Sequence, residues 1–327
     1  MDFRLDDQQL ALQETVAAFC VSRYPLDGLG RREAADAASR TRAWNDLDEL
    51  GVFSILRPES GGGLGLGLAH AALVFEQLGY HLVDGPLVWS ALAASTLDDG
   101  ADRAWGGLDQ LPADGDPIVV LHAGQVDGLV VLDVGQVRLI EADDLPAPEV
   151  LDPLDPLTPV GRYPSLPDGR VIGGAAEAGR LRAAGTVMTA ALLVGVAQAA
   201  LDVARDYALQ REQFDRPIAS FQALKHLMAD MYVRTGLARS STYAAAAVLD
   251  NPAVGHIERS VSGAKLLAGE AAIDNARAAV QILGGMGFTW EMPTNYLLKR
   301  AWVLEETFGD STRHALAISH SLAGATQ

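Results

Sequence analysis

The last third of the chain contains two short motifs whose residue types could hold a nucleotide. The first, residues 211–218, reads Arg-Glu-Gln-Phe-Asp-Arg-Pro-Ile, and Pro217 predicts a break between one helix and the next. At such a corner the Arg211 guanidinium could pair with phosphate and the Phe214 ring could cover an apolar face. An arginine at a helix end is more often a solvated charge or a helix cap, so the spacing alone leaves both interpretations open.

The second motif, residues 281–288, reads Gln-Ile-Leu-Gly-Gly-Met-Gly-Phe. Glycines after a helix are most often a C-terminal cap, because glycine enters the left-handed backbone region at little cost. Gly284 and Gly285 could also let the backbone come close to a ligand, with Gln281 offering an amide to its polar groups. On its own, a short glycine pattern is a weak signal.

Composition limits the classes of function. A chain of 327 residues, 49% hydrophobic and 20% charged, is typical of a folded protein with two or three packed layers or subdomains. The formal charge of −17 argues against nucleic-acid binding, because a phosphate backbone requires a basic surface. The single cysteine, Cys20, excludes an internal disulfide and a thiolate metal cluster and favours the reducing cytoplasm. The acidic, polar amino terminus is unlike a signal peptide.

One segment is long and apolar enough to resemble a membrane span. Residues 183–201 contain no charge, and the run could cross a bilayer. Alanine, glycine and threonine dominate it together with Gln198, however, and such small residues suit close contacts between helices. No second span and no aromatic anchoring belt accompany it. The sequence therefore predicts a buried bundle helix and no membrane association.

The elements that must position these motifs fall into successive blocks. Helical periodicity predicts an N-terminal domain over residues 1–95, followed by an acidic, turn-rich linker at 96–115. Apolar runs separated by glycine-containing turns predict short strands at 118–121, 129–132 and 137–140, within a β-domain that extends over 116–174. The proline-rich end of that domain predicts little regular structure. Residues 175–327 are predicted to form a helical bundle.

In this order, and about seventy residues apart, the two motifs resemble the signature of the acyl-CoA dehydrogenase family. There Arg-x-x-Phe-Gly, Phe-Gln and Ala-Asp-Met precede Gln-x-x-Gly-Gly-x-Gly-Tyr/Phe. Here Phe221-Gln222 and Ala229-Asp230-Met231 follow the corner, and residues 44–53, 58–65 and 75–79 resemble the helical N-terminal domain of that family. The resemblance therefore extends over nearly the whole chain.

The resemblance implies a mainly α fold with a small β-domain, consisting of an N-terminal helical domain, a middle β-domain and a C-terminal four-helix bundle. It also implies FAD as cofactor and α,β-dehydrogenation of an acyl-CoA, in which a glutamate takes the α-proton and the β-hydrogen leaves as hydride to the flavin. One FAD is shared between neighbouring subunits of the family, and one chain holds its adenosine-diphosphate end. By resemblance, the cofactor-binding residues at that end are Arg211, Gln213, Phe214, Gln281, Gly284 and Gly285.

The catalytic glutamate of the family is absent from its usual turn. From Phe308 the chain reads Phe-Gly-Asp-Ser, where the family has an aromatic residue, glutamate, glycine and Thr/Ser, so Gly309 occupies the position of the base. A slip of one residue would offer Asp310, but its carboxylate is shorter and displaced by a residue spacing of a few Å. Glu305 and Glu306 are interpreted as surface charges of the preceding helix.

Further departures affect the rest of the site. Some family members carry the glutamate on an earlier helix, and that stretch falls near residues 250–254, where Asp250 is a weak candidate. Neither the Thr-Glu-Pro…Gly-Ser-Asp stretch nor the Gly-x-Lys-x-Trp/Phe-Ile-Thr stretch, which embrace the flavin ring, occurs between residues 87 and 118. At the corner, Asp215 replaces the usual glycine.

This pattern predicts half of a flavin site. The chain resembles the short subunit, lacking the glutamate, of heteromeric α2β2 acyl-CoA dehydrogenases from actinobacterial steroid side-chain degradation. Its expected partner is a larger homologue that holds the flavin ring, most of the acyl-CoA and the base, with an electron-transfer flavoprotein as acceptor, and the chain alone is expected to be inactive. Two alternatives stay open: a self-sufficient homo-oligomer that uses Asp310 or Asp250, and a structural pseudoenzyme that binds no flavin.

Overall fold

A computed structural model describes residues 5–97, 103–113 and 116–324. Among them are ten α-helices and nine β-strands. Internal contacts divide the chain into two compact units. The first unit contains the chain up to Ala34, Ala72–Val83 and the chain from Thr186 onward, and the second contains Ala35–Ala71 and Asp84–Gly185. The sequential division at residues 95, 115 and 174 stays a prediction.

The helices are α1 (Asp7–Arg23), α2 (Leu29–Glu33), α3 (Ala37–Glu49), α4 (Leu68–Tyr80), α5 (Leu87–Ala94), α6 (Ala175–Gln210), α7 (Gln222–Asp250), α8 (Ile257–Leu283), α9 (Thr294–Glu306) and α10 (Ser311–Gly324). The strands are β1 (Trp105–Leu108), β2 (Ile118–Leu121), β3 (Gly128–Leu132), β4 (Gln136–Glu141), β5 (Glu149–Leu151), β6 (Val160–Tyr163), β7 (Arg170–Gly174), β8 (Glu212–Gln213) and β9 (Arg216–Pro217).

Helix α6 has the core role that its composition predicts. It is long and apolar enough to pass for a membrane span, but 83% of its most apolar window is buried inside the protein. Gly195 of α6 crosses α4 so closely that a Cβ atom would lie 2.1 Å from the Glu76 carbonyl oxygen. A Cβ atom on Gly79 of α4 would likewise lie 2.1 Å from the Leu192 carbonyl oxygen. Glycine at these two positions therefore allows the two helix backbones to touch.

Helices α7 and α8 form an antiparallel pair in the first unit. Buried Asn275 of α8 donates its side-chain amide to the carbonyl oxygens of Ala197 on α6 and Met231 on α7, and to the Thr235 hydroxyl. Its side-chain oxygen accepts from Arg234, so the polar groups of this amide are satisfied in the interior. One side chain thus fixes the register of three helices.

The second unit contains two β-sheets. A four-stranded sheet has the order β1-β3-β4-β7, in which β1 pairs parallel to β3 and the other pairs are antiparallel. A three-stranded antiparallel sheet has the order β2-β6-β5. Val120, Leu129, Val131, Ile140 and Tyr163 form a common buried cluster that contains residues of both sheets.

The predicted strands β2, β3 and β4 are confirmed, but the sequence missed others. Strand β1 lies within 96–115, where only turns were expected, β5 and β6 lie in the proline-rich stretch, and β7 follows it. Proline falls outside these strands: Pro159 precedes β6 and Pro164 follows it, so no ladder N–H is lost. Residues 98–102 and 114–115 of the predicted linker lie outside the described residues.

Candidate functional site

The 211–217 corner is a small hairpin between α6 and α7. Strands β8 and β9 pair Glu212 with Pro217 and Gln213 with Arg216, which leaves Phe214 and Asp215 as a two-residue turn. Both turn residues are left-handed, with φ of 56° and 62°. Turns of this kind favour Asn-Gly or Asp-Gly, so a bulky phenylalanine in the first position is strained. The chain therefore keeps a left-handed backbone at Asp215 without the glycine of the family.

The side chains of this corner face solvent. Phe214 is 85% exposed, and its ring meets the Phe221 ring edge-on at 6.0 Å between centroids. The Arg211 side chain is exposed and has no polar partner within the described part of the chain. The Gln213 amide donates to the Glu212 carbonyl oxygen next to it, while the Arg216 guanidinium stacks 4.3 Å from the Phe221 ring centroid. Arg211 and Phe214 are thus available to a ligand, and Gln213 is engaged locally.

The three glycines of the 284–287 loop have three different explanations. Gly284 ends α8 with φ of 61° and ψ of −135°, a conformation that suits only glycine. A Cβ on Gly287 would lie 2.8 Å from the Val280 carbonyl oxygen, so that position needs glycine for packing. A Cβ on Gly285 would meet nothing within 4 Å. Neither conformation nor internal packing explains Gly285, which leaves room beside the exposed Gln281.

The structure places both motifs at the same end of the bundle. Asn275 contacts Met231, and nine residues of α8 lead from Asn275 to Gly284, just as nine residues of α7 lead from Met231 back to Gln222. Because an α-helix rises about 1.5 Å per residue, both segments are about 13.5 Å long. Helix α6 runs in the direction of α8, from Ala197 near Asn275 to its end at Gln210. The corner and the glycine loop therefore share one end, as a joint nucleotide site requires.

The turn at 308–310 is held from inside the bundle. Phe308 and Gly309 have φ of 58° and 97°, and both are buried. Lys265 of α8, only 2% exposed, donates from Nζ to the carbonyl oxygens of Glu305 at 2.6 Å and Gly309 at 2.8 Å. A buried ammonium needs such acceptors, and the carbonyls at the end of α9 need donors. Lys265 therefore ties the end of α9 to the turn.

The carboxylates around this turn serve the start of α10. Asp310 accepts from the Arg313 backbone N–H at 2.7 Å, which is the geometry of an N-cap. Glu305 accepts at 2.7 Å from both the backbone N–H and the hydroxyl of Ser311. The interpretation of Glu305 as a surface charge is therefore wrong, because this half-buried side chain binds a helix terminus. Glu306 is exposed, as predicted, and its pKa is raised by partial burial and then by the neighbouring Glu305 and Asp310 carboxylates.

Histidine occupies the space behind Gly309. The buried His314 ring lies 3.1 Å from the Phe308 carbonyl oxygen through Nε2 and 3.2 Å from the Ser262 hydroxyl through Nδ1. Since a carbonyl only accepts, Nε2 carries the proton in the neutral ring. Burial, followed by the Lys265 charge, lowers the pKa of His314. A Cβ on Gly309 would lie 3.2 Å from His314 Nε2 and 2.9 Å from Arg313 Cδ, so a longer side chain here would meet resistance.

Asp250, which the sequence offered as a candidate base, lies exposed at the end of α7. The structure adds two residues that the sequence did not indicate, Lys265 and His314. The available signal for Lys265 was a single lysine within an apolar stretch of α8, Ala264-Lys265-Leu266-Leu267-Ala268. Such a lysine must find acceptors in the interior or reach solvent.

Comparisons with known proteins agree with this architecture. Residues 6–100 match the family model described as "Acyl-CoA dehydrogenase, N-terminal domain", and residues 178–323 match "Acyl-CoA dehydrogenase, C-terminal domain". Acyl-CoA dehydrogenase IpdE2 of Mycobacterium tuberculosis is 31% identical over 306 residues, which are 90% of this chain and 91% of that protein.

Two solved structures share the fold. A chain of the ChsE4-ChsE5 complex from Mycobacterium tuberculosis aligns with a TM-score of 0.84 at 23% identity, covering 99% of both chains. A chain of a Tcur3481-Tcur3483 steroid ACAD variant aligns with a TM-score of 0.83 at 21% identity, covering 98% of this chain and 99% of that one. The predicted resemblance and the mainly α fold with a small β part are confirmed.

Proposed function

Because the chain belongs to the acyl-CoA dehydrogenase family of FAD-dependent oxidoreductases, we propose that it is the smaller subunit of a heteromeric acyl-CoA dehydrogenase. In this role it contributes the adenosine-diphosphate side of the FAD site. A larger homologue contributes the flavin-ring side and the catalytic glutamate. The assembly is a heterotetramer with two copies of each chain.

The main support is the Gly309 turn, where glycine stands in the place of the family's glutamate. The neighbouring Asp310 and Glu305 carboxylates bind the start of α10, and Glu306 is an exposed residue at the end of α9. A general base must lie within hydrogen-bond reach of the proton that it removes. A dehydrogenase that uses this chain then needs its base from another subunit.

The exposed end of the bundle has residues suited to the adenosine-diphosphate side of FAD. The Arg211 guanidinium would pair with the pyrophosphate and the Phe214 ring would cover the adenine, while the Gln281 amide and the backbone at Gly284 and Gly285 would hold the polar edge. The open space at Gly285 and the unpartnered Arg211 guanidinium are the features of this chain that such a group would use. FAD, when bound, accepts the hydride from the substrate β-carbon. Gln213 stays a candidate, although its amide is engaged by Glu212.

The names of similar proteins support two further parts of the proposal, the two-chain assembly and the class of acyl-CoA. The ChsE4-ChsE5 and Tcur3481-Tcur3483 structures carry two chain names each, and the second is called a steroid ACAD, which supports a two-chain enzyme and an acyl-CoA of a steroid side chain. The partner would bind most of the acyl-CoA, and an electron-transfer flavoprotein would accept the electrons. Lone Cys20, buried and with its pKa raised by burial to about 12, suits a reducing cytoplasm.

Co-expression with a full-length family member tests this assignment. This chain would be purified alone and together with the homologue, and native mass and bound flavin would be measured for each preparation. We expect a colourless chain alone and a flavin-loaded α2β2 complex that oxidises acyl-CoA. A stable homotetramer with a full complement of flavin would favour a self-sufficient enzyme that uses Asp310 or Asp250. A complex with flavin bound only through the partner's residues would favour a structural pseudoenzyme.

A further inference from the structure

The second unit contains a cavity of about 970 Å³ between the ends of its two sheets. Its wall includes the loop at 111–113, the start of β2, the end of β6 and one residue of β4, Arg138. The wall combines apolar side chains such as Leu111, Ile118 and Leu166 with the two arginines Arg138 and Arg162. Its volume lies at the upper end of the range of small-molecule sites.

Arg138 occupies a position where packing alone would favour an apolar residue. It follows the alternation of β4 on the same face as Ile140, and its ladder partner Val131 belongs with Ile140 to the buried cluster. The β4–β7 register shifts between Val137 and Arg138, so β7 carries an extra residue there. Bulges of this kind re-aim side chains and are frequent beside functional sites. A half-buried guanidinium thus stands on an inner sheet face.

The guanidinium of Arg138 is only partly satisfied by the protein. Nη1 donates to the Asp168 carbonyl oxygen at 3.0 Å, whereas Nε is buried without a hydrogen-bond partner. Within the described residues no carboxylate pairs with Arg138. Arg162, in contrast, is neutralised by Glu149, which accepts from its Nε at 2.9 Å. Asp116 lies exposed at the rim of the cavity. Among the described residues, the cavity therefore presents one cation, Arg138, without a carboxylate partner, in a wall that has both apolar and polar side chains.

We propose that this cavity binds a bulky amphipathic carboxylate, with its carboxylate on Arg138 and its apolar body against Leu111, Ile118 and Leu166. A guanidinium matches a planar carboxylate through two parallel hydrogen bonds, and a binding partner would explain an arginine on an inner sheet face. The volume favours a broad body over a thin chain. This site lies wholly within the second unit, and it does not depend on flavin binding.

Fluorescent 1-pyrenebutyrate is a suitable probe, with uncharged 1-pyrenebutanol as its counterpart. Binding to the full chain would be followed by the fluorescence anisotropy of the pyrene. We expect saturable binding of the acid at one site and binding of the alcohol weaker by at least about tenfold, the usual scale for a hydrogen bond to a charged group. Arg138→Gln should weaken binding of the acid to the level of the alcohol, and Arg138→Lys should restore part of it.

Two further variants separate the cavity from general charge effects. Arg170→Gln removes an exposed arginine of β7 that does not line the cavity, and it should leave binding unchanged. Leu166→Trp should fill the cavity and abolish binding while Arg138 stays in place. Circular dichroism would verify folding of every variant. Equal affinity for acid and alcohol, an unaffected Arg138→Gln, or no saturable binding to the wild-type chain would overturn the proposal.

Discussion

The 211–217 corner and the 308–310 turn belong to the same helical unit and treat their functional groups in opposite ways. At the corner, Arg211 and Phe214 project into solvent, and the strained backbone of Phe214 is not explained by any burial of its ring. At the turn, the carbonyl oxygens of Glu305 and Gly309 are bound by Lys265, and the Asp310 carboxylate caps a helix. The corner therefore leaves its side chains exposed to solvent, whereas the polar atoms of the turn form hydrogen bonds within the chain.

Under the proposed function, the exposed corner is the part of this chain that binds the cofactor, and the internally bonded turn has no catalytic role. Strain and exposure without internal compensation are typical of surfaces that act on a ligand or a second molecule. At the turn, the carbonyl oxygens of Phe308 and Gly309 and the Asp310 carboxylate have partners within the chain, so these groups contribute to packing. The comparison therefore predicts that substitutions at the corner affect cofactor binding and that substitutions at the turn affect stability.

The largest expected effect concerns the base. In the complex, replacing the partner's turn glutamate by glutamine should lower the rate of dehydrogenation by a factor of about 100 to 10,000, the usual contribution of a general base. Asp310→Asn and Asp250→Asn in this chain should leave the rate near that of the wild type. Asparagine caps a helix as well as aspartate does, so Asp310→Asn removes the charge and keeps the fold. Single-turnover reduction of the bound flavin measures the step.

The result for Asp310 decides which chain is catalytic. Flavin content would be measured for each variant, so that loss of cofactor is not mistaken for loss of the base. If Asp310→Asn retains flavin and still loses a hundredfold or more in rate, this chain supplies the base and the half-site model fails.

The second effect is on stability and arises at Lys265. Lys265→Met keeps the length of the side chain but leaves the carbonyl oxygens of Glu305 and Gly309 without their donor. Each unsatisfied buried acceptor costs about 1–3 kcal/mol, so for two acceptors we expect the free energy of unfolding to fall by about 2–6 kcal/mol. Urea unfolding of the chain measures this, with Lys225→Met on the exposed surface of α7 as a control that should change it by less than about 0.5 kcal/mol. Similar stability of the two variants would show that the turn does not depend on Lys265.

The third effect is on cofactor affinity. If Arg211 pairs with the FAD pyrophosphate, Arg211→Ala should weaken flavin retention in the complex by about 1.5–3 kcal/mol, the loss of a charged hydrogen bond. The stability of the chain itself should change by no more than about 0.5 kcal/mol, because the side chain is exposed and unpartnered.

Arg170→Ala is the matched control for charge. Arg170 is an exposed arginine of β7 in the second unit, and none of the proposed FAD contacts belongs to that unit. This substitution removes the same charge and should leave flavin retention unchanged. Unchanged retention in Arg211→Ala as well would mean that Arg211 is a solvated corner charge.

The sequence predicted the corner and the glycine loop, but it could not predict which side chains hold the turn at Gly309. Short-range signals such as Pro217 and the glycines after α8 act through local backbone geometry, which is readable from neighbouring residues. The partners of Lys265 are carbonyl oxygens about forty residues away, and backbone atoms carry no residue identity. Only the packing of α8 against α9 and the turn shows that Lys265 binds these carbonyl oxygens and holds the turn.

Strand β1 shows the same limit in the second unit. Its sequence, Trp105-Gly106-Gly107-Leu108, has low strand propensity because glycine weakens strands. The structure explains both glycines by close neighbours, since a Cβ on Gly107 would lie 2.4 Å from the Trp89 ring and one on Gly106 would lie 2.9 Å from Leu129 Cδ2. Packing against distant residues thus requires glycine at these two positions, although glycine has a low propensity for strands.

The smallest expected effect tests the backbone of the corner itself. Asp215 has a φ of 62°, in the left-handed region. Glycine adopts this region at little energetic cost, aspartate at a moderate cost and alanine at a higher one. We expect Asp215→Gly to be more stable than Asp215→Ala by about 1 kcal/mol, with the wild type between them. Thermal unfolding of the chain measures the difference.

Flavin retention in the complex should match the wild type in both variants, because Asp215 is not among the proposed contacts. Equal stability of the two variants would mean that the turn is not left-handed at Asp215 in solution. The strain assigned to the neighbouring Phe214, which the comparison with the 308–310 turn uses, would then lose its basis.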